Sequence, residues 1–166
     1  MIAHTRRSWM TRTFLSYLLR GTAGFAMAAT VLAAPASAGG SDPEVVFDEI
    51  FQQVDGMCGG DGNGPAYDIY EIAKTYFAPN LAKPFEAAME SGDLGFDVLV
   101  DGQDCKTTDL ELTMIESGDT SAKGRATFKN MGEARVIDLV MTKSGDTWKV
   151  SDIVYQHRPF SLRKAL

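Results

Sequence analysis

The stretch Ala134–Tyr155, ARVIDLVMTKSGDTWKVSDIVY, decides the fold. From Ala134 to Met141 it places Val136, Ile137, Leu139 and Val140 on both faces, which predicts a central strand covered on each side. Ser144-Gly145-Asp146 is turn chemistry: a glycine between two residues whose short side chains bond their own backbone. In the strand that follows, Trp148 and Val150 share one face, but Ile153 and Tyr155 share the other. A period of two cannot reconcile these pairs without an inserted residue. The slip predicts a β-bulge near Ser151-Asp152, or burial of both faces.

Two further strands precede this hairpin. Leu110, Leu112 and Met114 alternate with Glu111 and Thr113, and Ala122, Gly124, Ala126 and Phe128 alternate with Lys123, Arg125, Thr127 and Lys129. Turn signals at Ser117–Thr120 and Asn130–Gly132 separate them. Before Asp104 the period becomes helical. Asp42-Pro43-Glu44 is a helix start, with Asp42 or Ser41 as cap and proline in the first turn, where its missing N–H costs nothing. Val46, Ile50, Phe51 and Val54 then fall on one face, up to a glycine-rich stretch at Gly56–Gly64. A second helix is predicted around Ala66–Phe77, and a third from near Pro79 to Ser91-Gly92.

Three helices and a four-stranded antiparallel meander bury their apolar faces by packing the helices across one side of a curled sheet, an α+β arrangement. The helix order, the linking segment Phe96-Asp97-Val98-Leu99-Val100-Asp101-Gly102-Gln103-Asp104, the strand Trp148–Ile153 and the closing Ser161-Leu162-Arg163 resemble a family of exported bacterial domains of unknown function. That family is placed in the nuclear transport factor 2-like superfamily. The resemblance implies a helix-covered, cone-like sheet with a cavity over Asp42–Leu166, and it supplies no catalytic residue.

Charge separates the chain into two parts. Of its 166 residues, 16 are Lys or Arg and 22 are Asp or Glu. Residues 1–38 hold Arg6, Arg7, Arg12 and Arg20 and no acid, so the remainder carries about −10. Such a body repels nucleic acid and anionic lipid, whose recognition needs basic patches. The basic stretch, the small apolar run Gly21–Ala34 and Ala36-Ser37-Ala38 have the order of a signal peptide cleaved before Gly39. This predicts a leader over 1–38, a single domain over 39–166 and a periplasmic destination. The run is too short and too rich in Gly and Ala to favour a membrane span. Thr5–Met10 (TRRSWM) leaves twin-arginine export open beside the general route, and Met10 is an alternative start.

Export gives the two cysteines a meaning. In an oxidising compartment Cys58 and Cys105 are expected to pair, a loop closure that contributes on the order of 4 kcal/mol. Metal binding is the weaker reading, because the cysteines are isolated and the mature chain keeps one histidine, His157. A calcium loop through Asp97, Asp101 and Asp104 fails: Leu99 and Thr108 stand where oxygen ligands belong, and an Asx-type turn leading to Cys105 is the simpler reading. No cofactor loop is present, and no metal or cofactor is expected.

The candidate residues divide into two sets. Phe51, Tyr70, Phe77, Phe128, Trp148 and Tyr155 are large rings that either fill the core, the commoner fate, or line an apolar cavity. Asp152, Tyr70 and His157 are the candidates for acid–base chemistry. Against them, a carboxylate at a bulge usually satisfies backbone, and a histidine beside Arg158-Pro159 is expected to face solvent. The basic tail around Arg158, Arg163 and Lys164 is expected to fold back on the acidic body, with Phe160 and Leu162 covering the sheet edge. The function expected is therefore a non-catalytic binding domain for a small apolar molecule or an envelope protein, with a homodimer compatible. A small isomerase or hydrolase is the alternative.

Overall fold

The structure, a computed structural model, describes residues 40, 42–60 and 67–166. The leader, the Ser41 cap, the start of the second helix at Ala66 and most of the glycine-rich loop lie outside the described residues.

Helix α1, Pro43–Cys58, starts as its sequence dictates: the Asp42 carboxylate accepts the Glu44 N–H at 2.9 Å, and proline occupies the first turn. It runs through Gly56 and ends at Cys58, past the glycine where the stop was expected to begin. Helix α2, Ile69–Tyr76, is capped by Asp68. Helix α3, Pro79–Ser91, closes on Gly92 at φ 78°, the left-handed position that glycine occupies without a Cβ penalty.

The strands are β1 (Thr107–Ser117), β2 (Ser121–Asn130), β3 (Glu133–Ser144), β4 (Thr147–Tyr155) and β5 (Phe160–Ser161), followed by a short helix α4 (Leu162–Ala165). They form one open, curled antiparallel sheet in chain order. The four-stranded, three-helix expectation is thus corrected by one strand and one helix. A two-residue strand after Pro159 carries no periodic signal, yet Val154 pairs with Ser161 and Tyr155 with Phe160.

Register explains the core. Ala122, Met141 and Val150 form one cross-strand row, Gly124, Leu139 and Ile153 the next, and Ala126, Ile137 and Tyr155 a third. These rows face the helices. A Cβ on Gly124 would lie 2.6 Å from the Phe47 ring of α1, so glycine is what lets helix and sheet close together. The predicted slip in β4 is a bulge: Val140 pairs with Asp152 but Met141 with Val150, leaving Ser151 as the extra residue. The opposite face of β3 carries a buried carboxylate, Asp138, held by the Arg125 fork at 2.7 and 2.9 Å and by Gln156 at 2.9 Å.

Both sheet edges are blunted. Along β4, the α2–α3 junction bridges Phe77 to Val150, and Ala78 N–H donates to the Val150 carbonyl at 2.8 Å. On β1 the ladder shifts register twice, and Asp109 takes a φ of 56°. The Cys58–Cys105 disulfide, with a Gly59–Thr107 bridge beside it, ties the end of α1 to the start of β1.

Candidate functional site

The segment between α3 and β1 is an organising strap. Val98, Leu99 and Val100 are buried in the core, and Asp97 pairs with Gly102 across a tight reversal. The Asp97 carboxylate accepts the Leu99 N–H at 2.8 Å, so the Asx turn expected near Asp101 is built on Asp97 instead. Asn130, buried at the end of β2, locks the strap. Its side chain accepts from Lys106 N–H at 2.9 Å and donates to the carbonyls of Val100 and Asp104 at 3.2 and 3.1 Å. A Cβ on Gly102 would sit 2.7 Å from that amide, which explains the glycine.

The reversal leaves Asp101 at φ 51°, a left-handed conformation that Asp tolerates better than most residues, and aims its carboxylate at β3 and at the turn after β4. Three cationic or potentially cationic side chains converge on it. Arg135 Nε lies at 3.5 Å, His157 Nε2 at 2.7 Å, and Arg158 Nη2 donates to Oδ1. With His157 protonated on Nε2, its Nδ1 is free to accept the Val136 N–H at 3.3 Å. His157 is exposed, as expected, and also clamps β3 to the strap.

Arg158 also stacks on rings. Its guanidinium carbon lies 5.1 Å from the Phe96 centroid, 4.7 Å from Tyr155 and 4.6 Å from Phe160. The rings hold one another, Tyr155–Phe160 at 5.3 Å and Phe96–Phe160 at 6.1 Å. The Tyr155 hydroxyl donates to the Val98 carbonyl at 2.8 Å. Burial drives this phenol's pKa far above its ordinary value, so it serves as a donor and not as a base.

Asp152 is not with these groups. Its carboxylate accepts from Ile153 N–H at 2.8 Å, Ser161 Oγ at 2.8 Å and Arg163 N–H at 3.0 Å, so it fastens the C-terminal segment to β4. Tyr70 is 43% exposed beside Phe85 and bonds neither Asp152 nor Tyr155. The three residues expected to share acid–base chemistry are thus separated, each with a neighbour of its own. A different tyrosine–carboxylate pair is present: Tyr67 donates to Asp97 Oδ2. Burial raises the pKa of both groups, Asp97 above the ordinary carboxyl range and Tyr67 far above the phenol value.

Of the rings expected to line a cavity, Phe51, Phe77, Phe128 and Trp148 lie in the continuous core at 0 to 3% exposure. Open space lies beyond them. A trough of about 610 Å³ runs between α3, the strap and α4, walled by Leu94, Phe96, Phe160 and Leu166 over a floor of Ala87 and Ala88. A second groove, of about 560 Å³, is lined by Tyr155, Gln156, His157, Arg158, Phe160 and Lys164. Phe160 belongs to both. A trough whose exposed wall is aliphatic and aromatic is suited to holding an apolar chain. The candidate ligand-binding rings include Tyr155, which lines the second groove, but not Leu94, Phe96 or Phe160, which wall the trough. Their signal was indirect: apolar residues in segments without period, at the ends of elements.

No protein family's model matches the chain, so membership of the nuclear transport factor 2-like superfamily is not established by that route. No curated protein matches it. Among solved structures the chain is similar to a phospholipid-binding protein from Ralstonia solanacearum in complex with a phospholipid. The two are 22% identical, with 75% of this chain and 72% of that chain covered and a TM-score of 0.36.

Proposed function

We propose that this is an exported binding domain that holds a small apolar molecule in the trough between α3, the strap and α4. One observation carries the reading: an open trough of about 610 Å³, within the size range of small-molecule sites, presents Leu94, Phe96, Phe160 and Leu166 where a monomer otherwise buries such groups. Nothing around it calls for bond chemistry. Tyr155 and Tyr67 are pushed away from ionisation, and Asp152 is occupied by backbone and hydroxyl donors. The leader over residues 1–38 supports export, and the disulfide fits an oxidising compartment.

The test is binding of the neutral apolar dye N-phenyl-1-naphthylamine, whose fluorescence rises in apolar surroundings, to the full chain and to Ala87→Trp. Ala87 is exposed on the trough floor, so the indole fills the trough without entering the core. Saturable binding that Ala87→Trp abolishes, with unchanged melting, is the expected result. A dye bound equally by both proteins, or by neither, overturns the reading and turns the search towards a protein partner. Export is tested separately: protein recovered from the periplasm of an expressing bacterium should begin at Gly39 and carry the mass deficit of one disulfide.

A further inference from the structure

Resting on that reading, we propose that the molecule held in the trough is a single-chain anionic amphiphile, its chain along the trough and its acidic head, carboxylate or phosphate, at Arg158 and Lys164. The two open spaces meet at one ring. Phe160 walls the trough on one side and belongs to the polar groove on the other. Arg158 stands at that junction, its guanidinium over both Phe96 and Phe160, which are themselves trough walls. A cation at the end of an apolar channel matches a ligand that is apolar along its length and anionic at its tip.

The local charge has the right sign. Outside the leader the chain carries about −10, yet no carboxylate lines the polar groove, and Arg158 and Lys164 do. Asp101, the nearest acid to Arg158, is shared with Arg135 and His157, and Arg135 in turn pairs with Glu133 at 2.8 Å. Asp152, behind Ser161, is buried and held by Ser161 Oγ and the N–H groups of Ile153 and Arg163. On the trough itself the acid is Asp93, bonded by Ser91 Oγ at 2.6 Å. Among the described residues, Arg158 donates one hydrogen bond, from Nη2, and its buried Nε has no partner. Lys164 Nζ makes no ion pair there. The Nη donors of the part-exposed Arg158 side chain, beside the exposed Lys164 ammonium, suit a carboxylate or phosphate oxygen pair.

The experiment displaces N-phenyl-1-naphthylamine from the full chain with dodecanoate, dodecyl phosphate and dodecyltrimethylammonium, each below its micelle-forming concentration, and with inorganic phosphate. Both anionic amphiphiles are expected to compete at concentrations about tenfold lower than the cationic one, the factor that about 1.4 kcal/mol of head recognition supplies. Lys164→Glu, at an exposed position, should weaken the anionic pair about fivefold relative to the cationic chain. Arg158→Lys, which keeps the charge but loses the fork, should weaken dodecyl phosphate and dodecanoate alike. The anionic pair's relative strength tells a carboxylate head from a phosphate head. Equal competition by all three chains, or by none while the dye still binds, overturns the anionic head and leaves the trough standing. Inorganic phosphate binding as tightly as dodecyl phosphate, measured by calorimetry, overturns the amphiphile in favour of a free-anion site. A dye that does not bind at all removes the trough, and this proposal with it.

Discussion

The centre of the sheet and its C-terminal corner use the same kinds of residue to opposite ends. At the centre, Phe47, Phe51, Phe77 and Phe85 interlock with Phe128 and Trp148, and none is more than 3% exposed. At the corner, Phe96 and Phe160 are half-buried, stacked on a cation and open to a trough. The difference is one of periodicity. Rings that repeat with a helix or strand are carried to the face where two layers meet, and packing there approaches crystalline density. Phe96 in the strap and Phe160 in the closing two-residue strand have no opposing layer and leave space, whereas Phe77, also outside the helices, is buried because the α2–α3 junction lies against β4.

The contrast can be broken most forcefully at the centre. Phe51→Ala should cost about 3 to 5 kcal/mol, since a fully buried ring leaves a cavity that its neighbours cannot fill. Urea unfolding measures this, and a loss below about 1 kcal/mol would mean that the core is looser than its burial indicates. Next comes the staple between layers. Cys58→Ser with Cys105→Ser opens a loop of sequence separation 47 and should cost on the order of 4 kcal/mol, read by denaturation of the double variant against the oxidised parent. An unchanged midpoint would show that the α1–β1 join holds without its bond.

At the corner the expected effects are smaller and of another kind. Phe160→Ala removes ring contacts and one face of the Arg158 box, about 1 to 2 kcal/mol, and should weaken dye binding in a protein that remains folded. If Phe160→Ala destabilises as much as Phe51→Ala, the corner is core after all. The mildest test is pH. Burial raises the Asp97 carboxyl pKa, so the folded protein holds that proton more tightly than the unfolded chain. The cost of burying the charge is fully present above the raised value and is relieved as pH falls towards the ordinary carboxyl range. Wild type should therefore gain melting temperature relative to Asp97→Asn between pH 7 and pH 4, and a constant difference would show that Asp97 is as free of its proton folded as unfolded.

Local physics made much of this legible beforehand. The Asp42 cap, the Gly92 stop and the Ser151 bulge each follow from a few neighbouring residues, because a cap, a positive φ or a slipped period is a short-range event. The Asp101 cluster was not legible. Its partners are 34, 56 and 57 residues away, and no spacing rule joins a loop aspartate to the ends of β3 and β4. Asp101 was weighed only against its acidic neighbours in the chain, where a calcium loop is the natural question. The contacts of Asp152 were hidden for a related reason: its donors, Ser161 and Arg163, belong to a tail read as charge and not as a helix cap.

That tail also sets a timetable. Leu162 is wholly buried in the core, and Ser161 and Arg163 supply donors that Asp152 needs on β4. A chain emerging from its N-terminal end therefore has three helices and four strands in hand while one core position is still empty and one buried carboxylate is still short of partners. Residues 161–163 thus fill that core position and complete the Asp152 carboxylate's partners together.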